Sequence, residues 1–356
     1  MSSPNIRQKS PVPRISPSGG GHLARQPSLT AASAASRIDD ATSIVSLRRF
    51  NFTVFGVLGI IAFIYTTVVL CVIMPWLSYS VPGVLNLGFL TIDTGIALYC
   101  FMLCVVMDPG SVPVDYSPDP EANTVLQVKR KSGEARFCQK CGRHKPPRAH
   151  HCRVCRRCVL RMDHHCPWIN NCVGHANYKA FMLFLIYITA AAVHALGLLC
   201  GHALYWMRMH AENRQHSIRT GPGGTAVGTS AEASLHRNLV WAIMQTVCTG
   251  ISLPLTIGLV MLLIWNLHLA LHNKTTIEFH EGVTAKIQAN KAGTSYKHPY
   301  DLGLCGNLHA ICGDSLATWF VPTRAAAEGD GLSFPSGWQA DLGRSAQGLL
   351  REPLGL

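Results

Sequence analysis

Charge is scarce in this sequence. Asp, Glu, Lys and Arg make up only 14% of its 356 residues, against 48% apolar residues. Soluble domains carry nearer a quarter charged residues, so an ordinary soluble fold is excluded. Acidic groups are scarcer still, 19 against 31 Lys and Arg, which leaves a formal net charge of +12. The first 48 residues lack an apolar run, so no cleavable signal peptide is expected. They are rich in Ser, Pro, Gly and Arg and poor in aromatics. Residues 1–48 therefore read as a disordered cytosolic N-terminus. A Met-Gly start and a C-terminal Cys-a-a-X box are both missing, so neither N-myristoylation nor prenylation is expected.

Against this background four uncharged or nearly uncharged runs stand out, at residues 52–77, 83–107, 181–206 and 239–269. Each reaches the roughly 20 residues that a helix needs to cross the hydrocarbon of a bilayer. They are expected to be four transmembrane helices of an all-α integral membrane protein. Residues 78–82 form a short uncharged link, and residues 207–238 form a Gly-containing loop with four Arg. Basic residues crowd instead between the second and third runs, from Lys129 to Arg161. Positive charge stays cytoplasmic. The loop 108–177, the N-terminus and the C-terminal region 270–356 are then expected on the cytosolic side, with 207–238 in the lumen. Basic residues that flank membrane spans fit anionic lipid or an anionic cofactor better than nucleic acid. The polar residues Asp93, His194 and His202 fall inside spans, where hydrogen bonding between helices is expected before any other role. Cys71, Cys100, Cys104, Cys200 and Cys248 are expected to be small packing residues.

Half of the 14 cysteines lie between Cys138 and Cys172, interleaved with histidines. In a reducing cytosolic loop that pattern points to metal rather than disulfides. Cys138/Cys141, Cys152/Cys155 and Cys155/Cys158 all have the Cys-x-x-Cys spacing of a zinc knuckle. The loop has few large apolar residues, so metal has to supply its folding energy. Two tetrahedral sites need eight ligands. Six cysteines with two histidines leave one thiol over, and spacing alone does not single it out. A spare thiol beside histidines is a candidate nucleophile.

The run Cys138–Phe181, with its Pro146-Pro147-Arg148-Ala149-His150-His151-Cys152, Asp163-His164-His165-Cys166 and Cys166-Pro167-Trp168-Ile169-Asn170-Asn171-Cys172 elements, resembles the cysteine-rich domain of the Asp-His-His-Cys (DHHC) protein S-acyltransferases, of the fungal type. Three further segments are similar to family elements: Asp108-Pro109-Gly110, Thr275-Thr276-Ile277-Glu278, and Tyr300-Asp301-Leu302-Gly303 with Asn307 and Gly313. Cys312 stands where the family often has an aromatic residue.

The resemblance implies a cysteine-rich zinc domain (136–181) between helices 2 and 3, and two structural Zn2+ ions. One ion would use Cys138, Cys141, His151 and Cys158. The other would use Cys152, Cys155, His165 and Cys172. Cys166 is then the nucleophile, His164 the general base and Asp163 its orienting acid. Acyl transfer from palmitoyl-CoA or another fatty acyl-CoA would go first to Cys166 and then to cysteines of membrane-associated substrate proteins. Trp168 is expected to cover the acyl chain. Lys129, Arg130, Lys131, Arg136, Arg143, Arg148 and Arg156 are candidates for the CoA phosphates. The expected location is a Golgi, endoplasmic reticulum, vacuolar or plasma membrane, with lipid as a further partner. The competing reading is a non-catalytic, membrane-anchored zinc module, which needs ligands but no spare thiol.

Overall fold

A computed structural model describes residues 50–118, 135–220, 229–323 and 329–337, without the side chains of 217–238. The N-terminal stretch 1–48, Lys129, Arg130 and Lys131 lie outside the described residues, as does the tail from 338.

Four helices are long and apolar enough to span a membrane. The first, α1 (Phe52–Val68), starts where Asn51 caps it through its side chain. It continues as π-helical turns over Val69–Leu77, which contain Pro75 and end at Ser78 in a left-handed conformation. Helix α2 (Val81–Val106) is capped by Ser80 and has Pro82 in its first turn. Gly83 fits there because a Cβ would overlap the Ser78 carbonyl.

The third and fourth helices, α3 (Tyr178–Thr220) and α4 (Thr229–Leu271), run well past the apolar segments. The expected lumenal loop 207–238 is therefore mostly helix, and only 221–228 separates the two. Residues 207–220 hold no Gly or Pro and many good helix formers, so the helix does not stop where the apolarity stops. Residues 221–228, which begin Gly221-Pro222-Gly223-Gly224, lie outside the described residues.

Helix α3 packs along both α2 and α4. Its polar residues join these neighbours. His194 Nε2 donates to Asn86 Oδ1 of α2 at 2.8 Å, and His202 Nδ1 donates to Gln245 Oε1 of α4 at 2.8 Å. Cys71, Cys100, Cys104 and Cys248 are buried packing residues, whereas Cys200 is exposed on the outer face of the bundle.

Among the described residues the named strands all belong to the loop between α2 and α3. They form three antiparallel hairpins: β1 (Phe137–Cys138) with β2 (Arg143–His144), β3 (His150–Cys152) with β4 (Arg157–Val159), and β5 (His164–Cys166) with β6 (Asn171–Val173). The Asp108-Pro109-Gly110 turn stitches the end of α2 to this loop. Gly110 adopts φ 109°, its N–H donates to Asp108 Oδ1, and its carbonyl accepts from Leu160 N. Arg157 Nη1 donates to Asp108 Oδ2 at 2.6 Å.

After α4 come α5 (Thr276–Lys291) and α6 (Leu304–Cys312). The fully buried Asn307 holds this region against the end of α4. Its Nδ2 donates to the Leu271 carbonyl and to Asp301 Oδ1, and its Oδ1 accepts from Leu302 N. Cys312, in place of an aromatic residue, offers its carbonyl to Lys179 Nζ at 3.2 Å.

Candidate active site and metal centres

The hairpins bring the loop's cysteines and histidines into two groups of four. Cys138, Cys141, His151 and Cys158 form one, and Cys152, Cys155, His165 and Cys172 the other. In each group the donor atoms lie within 4.8 Å of one another. In the second, His165 Nδ1 is 3.7, 3.5 and 3.6 Å from the sulfurs of Cys152, Cys155 and Cys172, and the last two sulfurs are 3.6 Å apart. In the first, Cys141 is 3.2 Å from His151 Nδ1 and 3.8 Å from the Cys158 sulfur. Donors about 2.3 Å from a tetrahedral zinc are about 3.8 Å apart along an edge, so both donor sets fit that metal.

The groups interlock. The turn of the first hairpin supplies Cys138 and Cys141, and the directly paired His151 and Cys158 of the second complete the set. The turn of the second hairpin supplies Cys152 and Cys155, and the paired His165 and Cys172 of the third complete that one. The domain's own apolar cluster is small, built on Cys152, Val159, Met162 and Cys172.

Cys166 is the one cysteine of the loop outside both groups. It shares β5 with His164, two residues away and so on the same face of the strand. Its thiol is close enough to the His164 imidazole to interact with it electrostatically. The ring's Nδ1 donates to Asp163 Oδ2 at 2.6 Å. Burial alone would lower the His164 imidazole. The hydrogen bond to Asp163 and the nearby Cys166 sulfur outweigh that and hold it up, at about 9. The ring of Phe181 packs edge-on against it at 5.4 Å.

Asp163 is buried, and its carboxylate is not held by histidine alone. Thr276 N donates to Oδ1 at 2.8 Å and Thr276 Oγ1 to Oδ2 at 3.0 Å. The Thr-Thr-x-Glu segment was visible in the sequence, but nothing there tied its second threonine to Asp163, 113 positions away.

That segment also forms a latch. Thr275 and Glu278 make a reciprocal capping box at the start of α5. Glu278 takes a bidentate ion pair from Arg148, at 2.7 Å from Nε and 2.8 Å from Nη2. Burial would raise the Glu278 carboxyl, yet Arg148 holds it down, at about 2. The Arg148 guanidinium also bonds Asn273 and lies 4.5 and 4.9 Å from the ring centres of Tyr300 and Phe334. Arg148 is thus internal rather than free for a phosphate. Arg136 is likewise turned inward, onto the carbonyls of Pro146 and Ala149. Arg143 and Arg156 are exposed.

Asn171, paired across the strand with Cys166, is a second missed residue. Its Nδ2 donates to the Cys104 and Met107 carbonyls at 2.9 and 2.8 Å. It thereby caps the C-terminus of α2 and fixes the third hairpin on the membrane bundle. Asn171→Ala removes these hydrogen bonds at the end of α2 and is expected to cost about 1–3 kcal/mol. A thermal melt in detergent reads this as a lower Tm, and an unchanged Tm would refute the capping role.

Cys166, His164 and Trp168 stand at one end of a cavity of about 550 Å³ among the helices. Its wall is almost wholly apolar, with Phe181, Phe184, Ile188 and Ala195 from α3, Ile61 and Tyr65 from α1, and Leu90 and Phe101 from α2. Thr53 Oγ1 at the start of α1 donates to the Pro167 carbonyl at 2.8 Å, which ties the turn beyond Cys166 to this wall.

A family model described as DHHC palmitoyltransferase matches residues 131–283. The chain is 41% identical over 277 residues to probable protein S-acyltransferase 16 of Arabidopsis thaliana, covering 77% of this chain and 89% of that one. It is 36% identical to probable protein S-acyltransferase 15 of the same plant, covering 76% and 97%. A fungal relative, palmitoyltransferase PFA4 of Mycosarcoma maydis, is 32% identical over 70% of this chain and 51% of its own.

Proposed function

The chain belongs to the DHHC palmitoyltransferase family and is a protein S-acyltransferase, and we propose that Cys166 is the nucleophile of a two-step transfer from palmitoyl-CoA to protein cysteines. One observation carries the reading. The single loop thiol outside both metal-fitting groups shares a strand with His164, and both line an apolar cavity.

In the first step His164 takes the proton of Cys166, and the thiolate attacks the thioester carbonyl. The carbon–sulfur bond to CoA breaks, and CoA leaves as its thiol with that proton. In the second step His164 draws the proton from an incoming substrate cysteine, whose sulfur displaces Cys166 from the acyl group. Asp163, clamped by Thr276, keeps the imidazole in the tautomer that faces the thiol.

The donor chain occupies the cavity. From Phe181 to Ala195 the wall of α3 extends about 21 Å at the helical rise. An extended sixteen-carbon chain is about 20 Å long by its bond lengths, which supports palmitate. Trp168, exposed and at the mouth, covers the first carbons. Arg143 and Arg156 are left to meet the CoA phosphates.

Two zinc ions, one in each group, hold the hairpins and thereby aim β5; their part is structural. Basic residues between α2 and α3 support a cytosolic face for this loop, both termini and the acyl-enzyme, where substrate proteins present their cysteines. A non-catalytic zinc module gives no account of a spare thiol at a cavity mouth.

The test is incubation of detergent-purified protein with palmitoyl-CoA. Hydroxylamine-sensitive label is expected on the wild type and not on Cys166→Ser, with two zinc ions in both by elemental analysis. Label that persists in the variant would move the nucleophile elsewhere.

A further inference from the structure

The three hairpins are one unit repeated. Cys138, Cys152 and Cys166 recur at a fourteen-residue interval. Each is paired in the same register, with Arg143, Arg157 and Asn171. The backbone repeats as well. Gly142, Arg156 and Asn170, again fourteen apart, take φ of 64°, 56° and 48°, so the left-handed residue that closes each turn is in the same place. The third turn thus has the backbone of the two metal-fitting turns before it.

It differs in one side chain. The second knuckle position is Cys141 in the first turn, Cys155 in the second and Ile169 in the third. Both cysteines belong to the metal-fitting groups, whereas Ile169 is fully buried and lines the apolar cavity with Cys166. A Cys-x-x-Cys turn of this backbone is half of a tetrahedral site. A thiolate that ligates zinc is stabilised by the metal and is unavailable to a thioester.

We infer that the active-site turn is a zinc knuckle disarmed by Ile169, which is the residue that decides whether the Cys166 sulfur serves as a nucleophile or as a metal ligand. Ile169 is a positioning residue. It denies Cys166 a second sulfur and seals the turn with an apolar side chain that faces the acyl cavity. The inference rests on the reading of Cys166 as nucleophile, and it explains why one repeat of three carries the chemistry. Among the described residues of the loop no fourth hairpin follows to complete a site, and His164 shares β5 with Cys166.

The experiment restores the missing sulfur. Wild type, Ile169→Cys, Ile169→Ala and the double variant Ile169→Cys/Cys166→Ser are purified in detergent with a phosphine reductant and titrated with cadmium. Ile169→Cys is expected to take up one more metal equivalent than wild type, with added ultraviolet sulfur-to-metal absorbance, as two thiols lose their protons to it. Its self-acylation should fall at least tenfold when loaded. Acylation should return with a chelator dose that leaves the wild-type metal content unchanged. The double variant should lose the extra equivalent, and Ile169→Ala should match wild type in metal. The inference fails if Ile169→Cys binds no additional cadmium, or if the extra equivalent survives loss of the Cys166 sulfur. It fails equally if Ile169→Ala loses acylation as far as Ile169→Cys at unchanged metal content, since the position is then packing alone. A wild type that takes no label would sink the nucleophile assignment, while the cadmium result would still report on the turn.

Discussion

Asp163→Asn is expected to slow self-acylation by about 10³–10⁴-fold while both metal groups stay filled. The carboxylate accepts from His164 Nδ1 on one oxygen and from Thr276 on both. An amide presents one acceptor and one donor. With its oxygen held by the Thr276 N–H, its NH2 faces His164 and drives the ring to the opposite tautomer. The nitrogen beside Cys166 then carries a proton and no longer accepts one. The same exchange in a Ser-His-Asp triad costs about 10⁴-fold, which sets the scale. Single-turnover labelling with palmitoyl-CoA, alongside zinc analysis, measures it. A rate within tenfold of wild type at full metal content would remove Asp163 from the machinery. Thr276→Val deletes only the hydroxyl donor and keeps the backbone one. Its loss should be milder, about 10–100-fold, as for one hydrogen bond to a charged group.

Glu278→Ala is expected to be the most destabilising single change outside the membrane-spanning helices, by about 3–5 kcal/mol. The Arg148 side chain is 1% exposed, and the ion pair is its only counter-charge within 4.0 Å among the described residues. Removing the carboxylate strands a guanidinium between Tyr300 and Phe334 and also deletes the capping box of α5. At roughly 2–4 °C per kcal/mol, Tm should fall by roughly 6–20 °C. Replacing both partners with apolar residues, Arg148→Met with Glu278→Leu, should lose less than Glu278→Ala, because no charge is left buried. A melt of Glu278→Ala within 2 °C of wild type, or a double variant worse than the single one, would show that the latch is not what holds α5 to the hairpins.

The membrane architecture was legible in the sequence because apolar runs of bilayer length are a strong signal. The donor groups were legible because the Cys-x-x-Cys spacings and the motif match agree. What the sequence did not disclose was long-range and polar. Thr276 reaches Asp163, and Asn171 reaches the end of α2, through hydrogen bonds that have no periodicity. Arg148 and Arg136 were weighed as phosphate contacts because a basic residue in a basic loop is indistinguishable, as a letter, from one consumed internally. Helices α3 and α4 run past the apolar runs, since hydropathy marks where lipid ends and not where the helix ends. The fourteen-residue recurrence was present in the letters. It escapes notice because the third copy has lost the cysteine that would have completed it.

The interlocked hairpins also impose an order on biosynthesis. Each group draws two donors from one turn and two from the strands that follow. The first can close only once residue 158 has left the ribosome, and the second only after residue 172. The thiol at 166 emerges between these events. Its place beside α2 is set by the third hairpin, so the nascent chain lacks this part of the cavity wall until residue 172 has emerged.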